Sequence, residues 1–129
     1  MQRVRVSFRS WIVFLGCALT AVGHHSTTMF DFSREVTYQG TVNRLEWTNP
    51  HVTLFLDTVQ SGLPSTVRGE SGSPLALQKR GWSSTMVHPG DKITIKGNPS
   101  KEGVNIFWIV TITTADGKVY DAGRAPDNN

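Results

Sequence analysis

The chain has 129 residues, with 13 Lys and Arg against 10 Asp and Glu and a single cysteine. That length holds one small hydrophobic core and excludes a second. A formal charge of +3 suggests a polyanionic partner, but Arg3, Arg5 and Arg9 precede an apolar run, and without residues 1–23 ten basic side chains face ten acidic ones. A neutral domain has no surplus charge for phosphate backbones, so nucleic acid is not an expected partner.

Residues 1–23 have the layout of a secretory signal peptide: a basic start, an apolar stretch Trp11 to Leu19, and small residues Ala21 and Gly23 around Val22. The expectation is cleavage after Gly23 and a periplasmic or secreted protein. The apolar run is too short to cross about 30 Å of hydrocarbon as a helix, so no transmembrane anchor is expected in the mature form. Cys17 lies inside this run, after Leu15-Gly16, and reads as one of its apolar residues rather than a lipid-attachment site. Its removal leaves a chain without disulfides, thiolate metal sites or thiol nucleophiles.

Strand one is read from the alternation of Val36, Tyr38, Gly40 and Val42 with polar neighbours. The apolar parity flips at Leu45 and Trp47, which calls for a bulge near Asn43-Arg44 or a change of buried face. Asn49-Pro50 interrupts the ladder, and Val52, Leu54 and Leu56 resume it as strand two. A weaker third strand lies at Thr66 to Glu70. Ser73-Pro74 is a cap residue with Pro at the first helical position, so Leu75 to Arg80 forms a two-turn helix closed by Gly81. Pro89-Gly90-Asp91 turns into strand four, Lys92 to Gly97. Asn105 to Thr114 is apolar on both parities, as in a strand covered on both faces. Asp116-Gly117 supplies a hairpin turn into Val119-Tyr120, and residues 122–129 read as a flexible tail.

Three strands, a helix and two more strands, with a bent first strand, point to a mainly β fold. The arrangement is that of a small five- or six-stranded Greek-key barrel like the oligonucleotide/oligosaccharide-binding (OB) fold, spanning residues 24–121. An SH3-like barrel or a small sandwich has a similar element count.

The order of several motifs resembles a family of small exported bacterial proteins classed as a domain of unknown function. The motifs are His24-His25-Ser26, Met29-Phe30-Asp31, Glu46-Trp47-Thr48-Asn49-Pro50-His51-Val52, Gly72-Ser73-Pro74, Lys79-Arg80-Gly81-Trp82 and Pro89-Gly90-Asp91. The resemblance implies no catalytic residues. Leu75 stands where the family pattern has a polar Asn, and Thr53 where it has an aromatic residue, so the edge of a shared face is altered here.

Four histidines, His24, His25, His51 and His88, carry the chemical interest. Cleavage after Gly23 would join the amine and imidazole of His24 on one residue. Cleavage slightly earlier would put a histidine third, where amine, backbone nitrogens and imidazole form a square-planar set; both suit Cu(II) or Ni(II). The candidate metal ligands are therefore His24, His25 and His51, with copper the candidate cofactor. Around the Asn-Pro turn, Glu46, Trp47, Asn49 and His51 assemble a carboxylate, an indole, an amide and an imidazole at one rim, and Glu70 can join them from strand three. Trp82 follows the helix-closing glycine and serves as a core plug or a stacking surface. No nucleophile elbow, phosphate loop or spaced acid pair is present, so the only constructible enzyme is a metal-dependent oxidase or hydrolase. The leading expectation is a non-enzymatic module that binds a small ligand, a metal or a cell-envelope partner through the rim of Trp47, Asn49 and His51, with a copper-handling protein or copper-dependent enzyme as the alternative.

Overall fold

In a computed structural model, residues 27–103 and 105–123 are described. They form β1 (Val36–Glu46), β2 (Thr53–Gln60), β3 (Leu63–Glu70), α1 (Pro74–Gln78), β4 (Lys92–Pro99), β5 (Ile106–Thr114) and β6 (Val119–Asp121), after a 3-10 turn at Thr27–Met29. The strand order is β3-β2-β1-β4-β5-β6, and a parallel pairing of β3 with β5 closes the first five strands into a barrel. This is the OB-like Greek key expected from the sequence, with the helix between β3 and β4 and β6 added outside the ring. The two expectations derived for residues 1–23 and for His24 and His25 fall outside the described residues.

β1 serves two partners because it bends. Its first half pairs with β4 and its second with β2, and the register shifts between Val42 and Arg44, the bulge that the change of parity required. Gly40 sits at the bend, where a Cβ would overlap the backbone carbonyl of Asp57. Only glycine allows β2 to coil that closely over β1. Gly97 makes the same close approach to the Trp108 carbonyl at a second register shift, between Lys96 and Gly97.

β3 starts at Leu63, three residues earlier than its apolar pattern suggests, because Ser61 and Gly62 at positive φ (50° and 79°) form a tight hairpin that pairs Gln60 with Leu63. Pro64 argues against a strand there, yet β5 pairs with β3 only from Arg68 onward, so Pro64 needs no donor on its open edge. Helix α1 follows the expected chemistry but is shorter. The Ser73 side chain accepts from the Ala76 N–H at 3.3 Å, and Pro74 opens the first turn. Gly81 (φ 83°) ends it in a Schellman arrangement, with Trp82 N–H donating to Leu77 O and Gly81 N–H to Gln78 O.

Leu54, Leu56, Val67, Ile95, Phe107, Ile109 and Ile112 fill the barrel, and Leu77, Trp82 and Val87 join the same cluster. The Trp82 indole donates to Asp121 O at 3.1 Å, which satisfies a buried donor in a plug position. Ala122 is buried as well and donates its N–H to Val110 O, so ordered pairing reaches one residue past β6.

Candidate functional site

Side chains alternate across a strand, so with Val67, Gly69, Phe107 and Ile109 inside, Arg68, Glu70 and Trp108 share the outer face where β3 meets β5. Trp108 is nevertheless only 2% exposed. The segment before β1 covers it: Phe30 bridges to Ser100, Asp31 N–H donates to Pro99 O, Lys101 N–H donates to Met29 O, and the Phe30 ring lies 5.7 Å from the Trp108 ring. Residues 27–31 thus form a strap across the outside of β5. The apolar character of β5 on both parities has its cause here, in a second small cluster outside the barrel.

Two cross-strand rows run over this face. One is Glu46, Thr53, Glu70 and Trp108; the next is Arg44, Phe55, Arg68 and Ile106. Charges in the first row are neutralised from the second. Arg44 Nε donates to Glu46 Oε1 at 2.9 Å, and the Arg68 guanidinium pairs with Glu70 Oε1. Arg44 also stacks on the Phe55 ring, 3.4 Å from its centroid.

Glu70, with its side chain 8% exposed, is no solvated carboxylate. Its second oxygen lies 3.6 Å from His51 Nδ1, and the imidazole stands edge-on to Trp108 with ring centroids 5.5 Å apart. The loop between β1 and β2, whose Asn49–Pro50 bond is cis, delivers His51 to this position. Two donors on residues that neighbour Glu70 on the sheet, Arg68 Nε and Trp108 Nε1, are buried and have no hydrogen-bond partner among the described residues. A buried donor without an acceptor costs roughly 1–3 kcal/mol, and such groups mark places where water or a ligand completes the structure. Ser71 Oγ is also without a partner, but its parity places it on the inward side of β3.

The structure therefore brings together His51 and Glu70, as the sequence suggested, and adds Arg68 and Trp108. Glu46 is two strands from Glu70 on the same row, with Thr53 between them, exposed and paired to Arg44. Trp47 is half-buried against the core, and Asn49 is exposed in the loop. Trp82 belongs to the core cluster at β6. His88 lies in the turn before β4, exposed, with Asp91 3.9 Å away. Among the described residues no three His, Cys, Asp or Glu side chains converge as metal ligands, and no helix is long and apolar enough to cross a membrane. The two arginine-carboxylate pairs had a sequence signature, Arg-x-Glu at 44–46 and again at 68–70, which puts opposite charges on one face of a strand.

Residues 13–106 match the sequence model of a family described as of unknown function. The chain belongs to DUF6152. The match spans the strap, β1 to β4, the helix and the start of β5, and so includes His51, Arg68 and Glu70 but stops two residues short of Trp108. No curated protein matches the chain. What a DUF6152 domain does has to be argued from its surface.

Proposed function

We propose that this DUF6152 domain is an exported, non-enzymatic binding module that captures a small molecule or a cell-envelope component on the outer face formed by β1, β2, β3 and the start of β5. One observation carries the reading: Glu70 is a buried carboxylate partnered by Arg68 and His51, and two residues that neighbour it on the sheet, Arg68 and Trp108, each keep a buried donor without an acceptor, Nε and Nε1. Building such a group costs desolvation energy, and an acceptor on a ligand, reaching the donors directly or through one water, offsets it. His51, 28% exposed, gives the site an edge open to solvent. Export is supported by the three arginines, the apolar run and the Ala21-Val22-Gly23 site.

Non-denaturing mass spectrometry of protein purified from the envelope fraction of its own cells tests the reading, with Glu70→Gln in parallel. A bound mass on the native protein that the folded variant lacks is the expected result. Identical bare masses for both would overturn it.

A second reading is favoured by where the strap lies. Phe30, three residues into it, packs on the same Trp108 that His51 contacts. His24 precedes Thr27 by three residues, a reach of at most about 10 Å of chain. A copper site using His24, His25 and His51 would draw on this juxtaposition of strap and loop against one indole.

A further inference from the structure

We infer that the end of β4 and the Trp108 indole form a docking seat for an extended segment of a partner protein, one that carries an aromatic side chain followed by an acidic one, and that the strap is its exchangeable resident. The seat borders the face proposed above and shares Trp108 with it, but it needs no ligand captured there.

The strap is held as an added strand is held. Phe30 and Ser100 form an isolated antiparallel bridge, flanked by Asp31 N–H donating to Pro99 O at 2.8 Å and Lys101 N–H donating to Met29 O at 2.9 Å. Main-chain bonds to a strand, with a side chain seated in a pocket beside it, are the means by which proteins capture extended peptides. Here the seated side chain is Phe30, buried with its ring 5.7 Å from that of Trp108. The strap is also not a plain continuation of β1. Val36 pairs with Gly97 and Phe30 with Ser100, so six steps of the chain pass three of β4, and Phe32, Ser33, Arg34 and Glu35 loop out exposed. One β4 side chain ties that loop down, Asn98 Nδ2 donating to Arg34 O at 2.7 Å. A segment attached through an exposed loop can open as a unit while β1 and β4 stay paired.

Charge and hydrogen bonding set what a partner brings. The Asp31 carboxyl is held below its ordinary value chiefly by hydrogen bonds from Ser33, and also by the charges of Arg34 and Lys101. Ser33 and Arg34 leave with the strap. Lys101 stays on the barrel, a cation beside the position that follows the aromatic ring, and it matches a carboxylate at that position of the partner. The resident is an incomplete fit: it covers the Trp108 indole, yet Nε1 is buried with no acceptor among the described residues. A donor left unmet in this way is costly. A partner that supplies the acceptor gains a bond the strap lacks, and this offsets the roughly millimolar effective concentration that tethering gives the strap.

The probe is the octapeptide Ser-Thr-Thr-Met-Phe-Asp-Phe-Ser, the sequence of residues 26–33, titrated by proton–nitrogen NMR into the ¹⁵N-labelled Phe30→Ala protein, whose resident lacks the ring. The Trp108 indole N–H and the Lys101 amide should shift together. The same peptide carrying Phe30→Ala should bind about tenfold more weakly, and one carrying Asp31→Lys should also bind more weakly. Native protein should bind the octapeptide less tightly than the Phe30→Ala protein does, because its own strap competes. Glu70→Gln added to the Phe30→Ala protein should leave peptide binding unchanged. A folded Phe30→Ala protein whose Trp108 indole does not respond would overturn the seat, and equal binding by native protein would place the peptide elsewhere and overturn it too. Equal binding by either substituted peptide would overturn the partner chemistry assigned to that position. Loss of binding on Glu70→Gln would move the peptide to the face proposed above and overturn a separate seat. If Phe30→Ala does not fold, hydrogen exchange in the native protein decides: the Asp31 and Lys101 amides should exchange together, about a hundredfold faster than that of Ile95 within β4. Exchange of all three at one rate would make the strap a permanent part of the barrel and overturn the proposal.

Discussion

Trp108 meets the imidazole of His51 edge-on, 5.5 Å between centroids, and has the ring of Phe30 5.7 Å away. One indole therefore links the loop that carries His51 to the strap that precedes β1. Neither neighbour lies inside the barrel, and the Trp108 ring outside it supports the position of both.

Replacing Trp108 with Ala should accordingly cost about 3–5 kcal/mol, the range for deleting a fully buried large aromatic side chain. Phe30→Ala should also destabilise, and the double mutant should lose less than the sum of the two. The pair should retain a coupling of about 0.5–1.5 kcal/mol, because each ring is the other's contact. Urea unfolding of the four proteins measures it. A Trp108→Ala loss below about 1 kcal/mol would show that the strap does not bury the indole in solution.

Gly40→Ala and Gly97→Ala test the close strand crossings. A Cβ at either position would overlap a backbone carbonyl, of Asp57 or of Trp108, and a backbone atom cannot step aside as a flexible side chain can. Overpacking of this kind costs about 1–3 kcal/mol or more. Gly62→Ala has open space around its Cβ but a φ of 79°, so it tests conformational strain alone. Thermal unfolding should rank it as the mildest of the three.

The barrel was legible because its signals are local: alternation in β1, β2 and β4, a Ser-Pro cap, a Gly stop and an Asp-Gly turn each occupy a few residues. The parity flip at Asn43 even located the bulge. The site was only half legible. His51 and Glu70 could be nominated as polar residues near a turn and a strand end, but the parallel contact that sets Glu70 beside Trp108 joins residues 38 positions apart, and no short-range pattern encodes it. Trp108 looked like another core residue because a strand buried on both faces reads the same whether a sheet, a helix or a strap covers its outer side. Pro64 hid the start of β3 because the open edge that excuses it is a tertiary fact.

Acid should remove one identifiable contribution to stability. The Asp57 carboxyl is held below its ordinary value of 3.8 by hydrogen bonds from Asn43 and then Thr66. A depressed folded pKa means the contribution is complete above the unfolded value and is lost as pH falls through the folded one. Thr66→Val should therefore be less stable than the native protein at pH 6, with the difference shrinking as the pH is lowered below about 3.8. Denaturant midpoints across that range measure it. A difference that stays constant would mean that Thr66 acts through packing rather than through the carboxylate.

The last prediction separates the copper reading from the purely organic one, and it begins with the processed end of the chain. Intact-mass analysis of protein recovered from the envelope should give His24 as the first residue. Retention of residues 1–23 on that protein would remove both the export proposal and the amine ligand. With His24 at the terminus, a site that joins its amine and imidazole to His25 and His51 should bind one equivalent of Cu(II). Binding should weaken as pH falls, because metal ligands must be deprotonated and protons compete with the ion for the imidazoles and the terminal amine. One extra residue ahead of His24 displaces the amine and should lower the affinity, as should His51→Ala. A module without a metal role predicts that neither change matters to copper, while His51→Ala still impairs capture of its organic ligand. Calorimetry of the three proteins with Cu(II) decides between them, and equal, weak, multi-equivalent binding in all three would leave the β1–β2–β3 face as the functional surface.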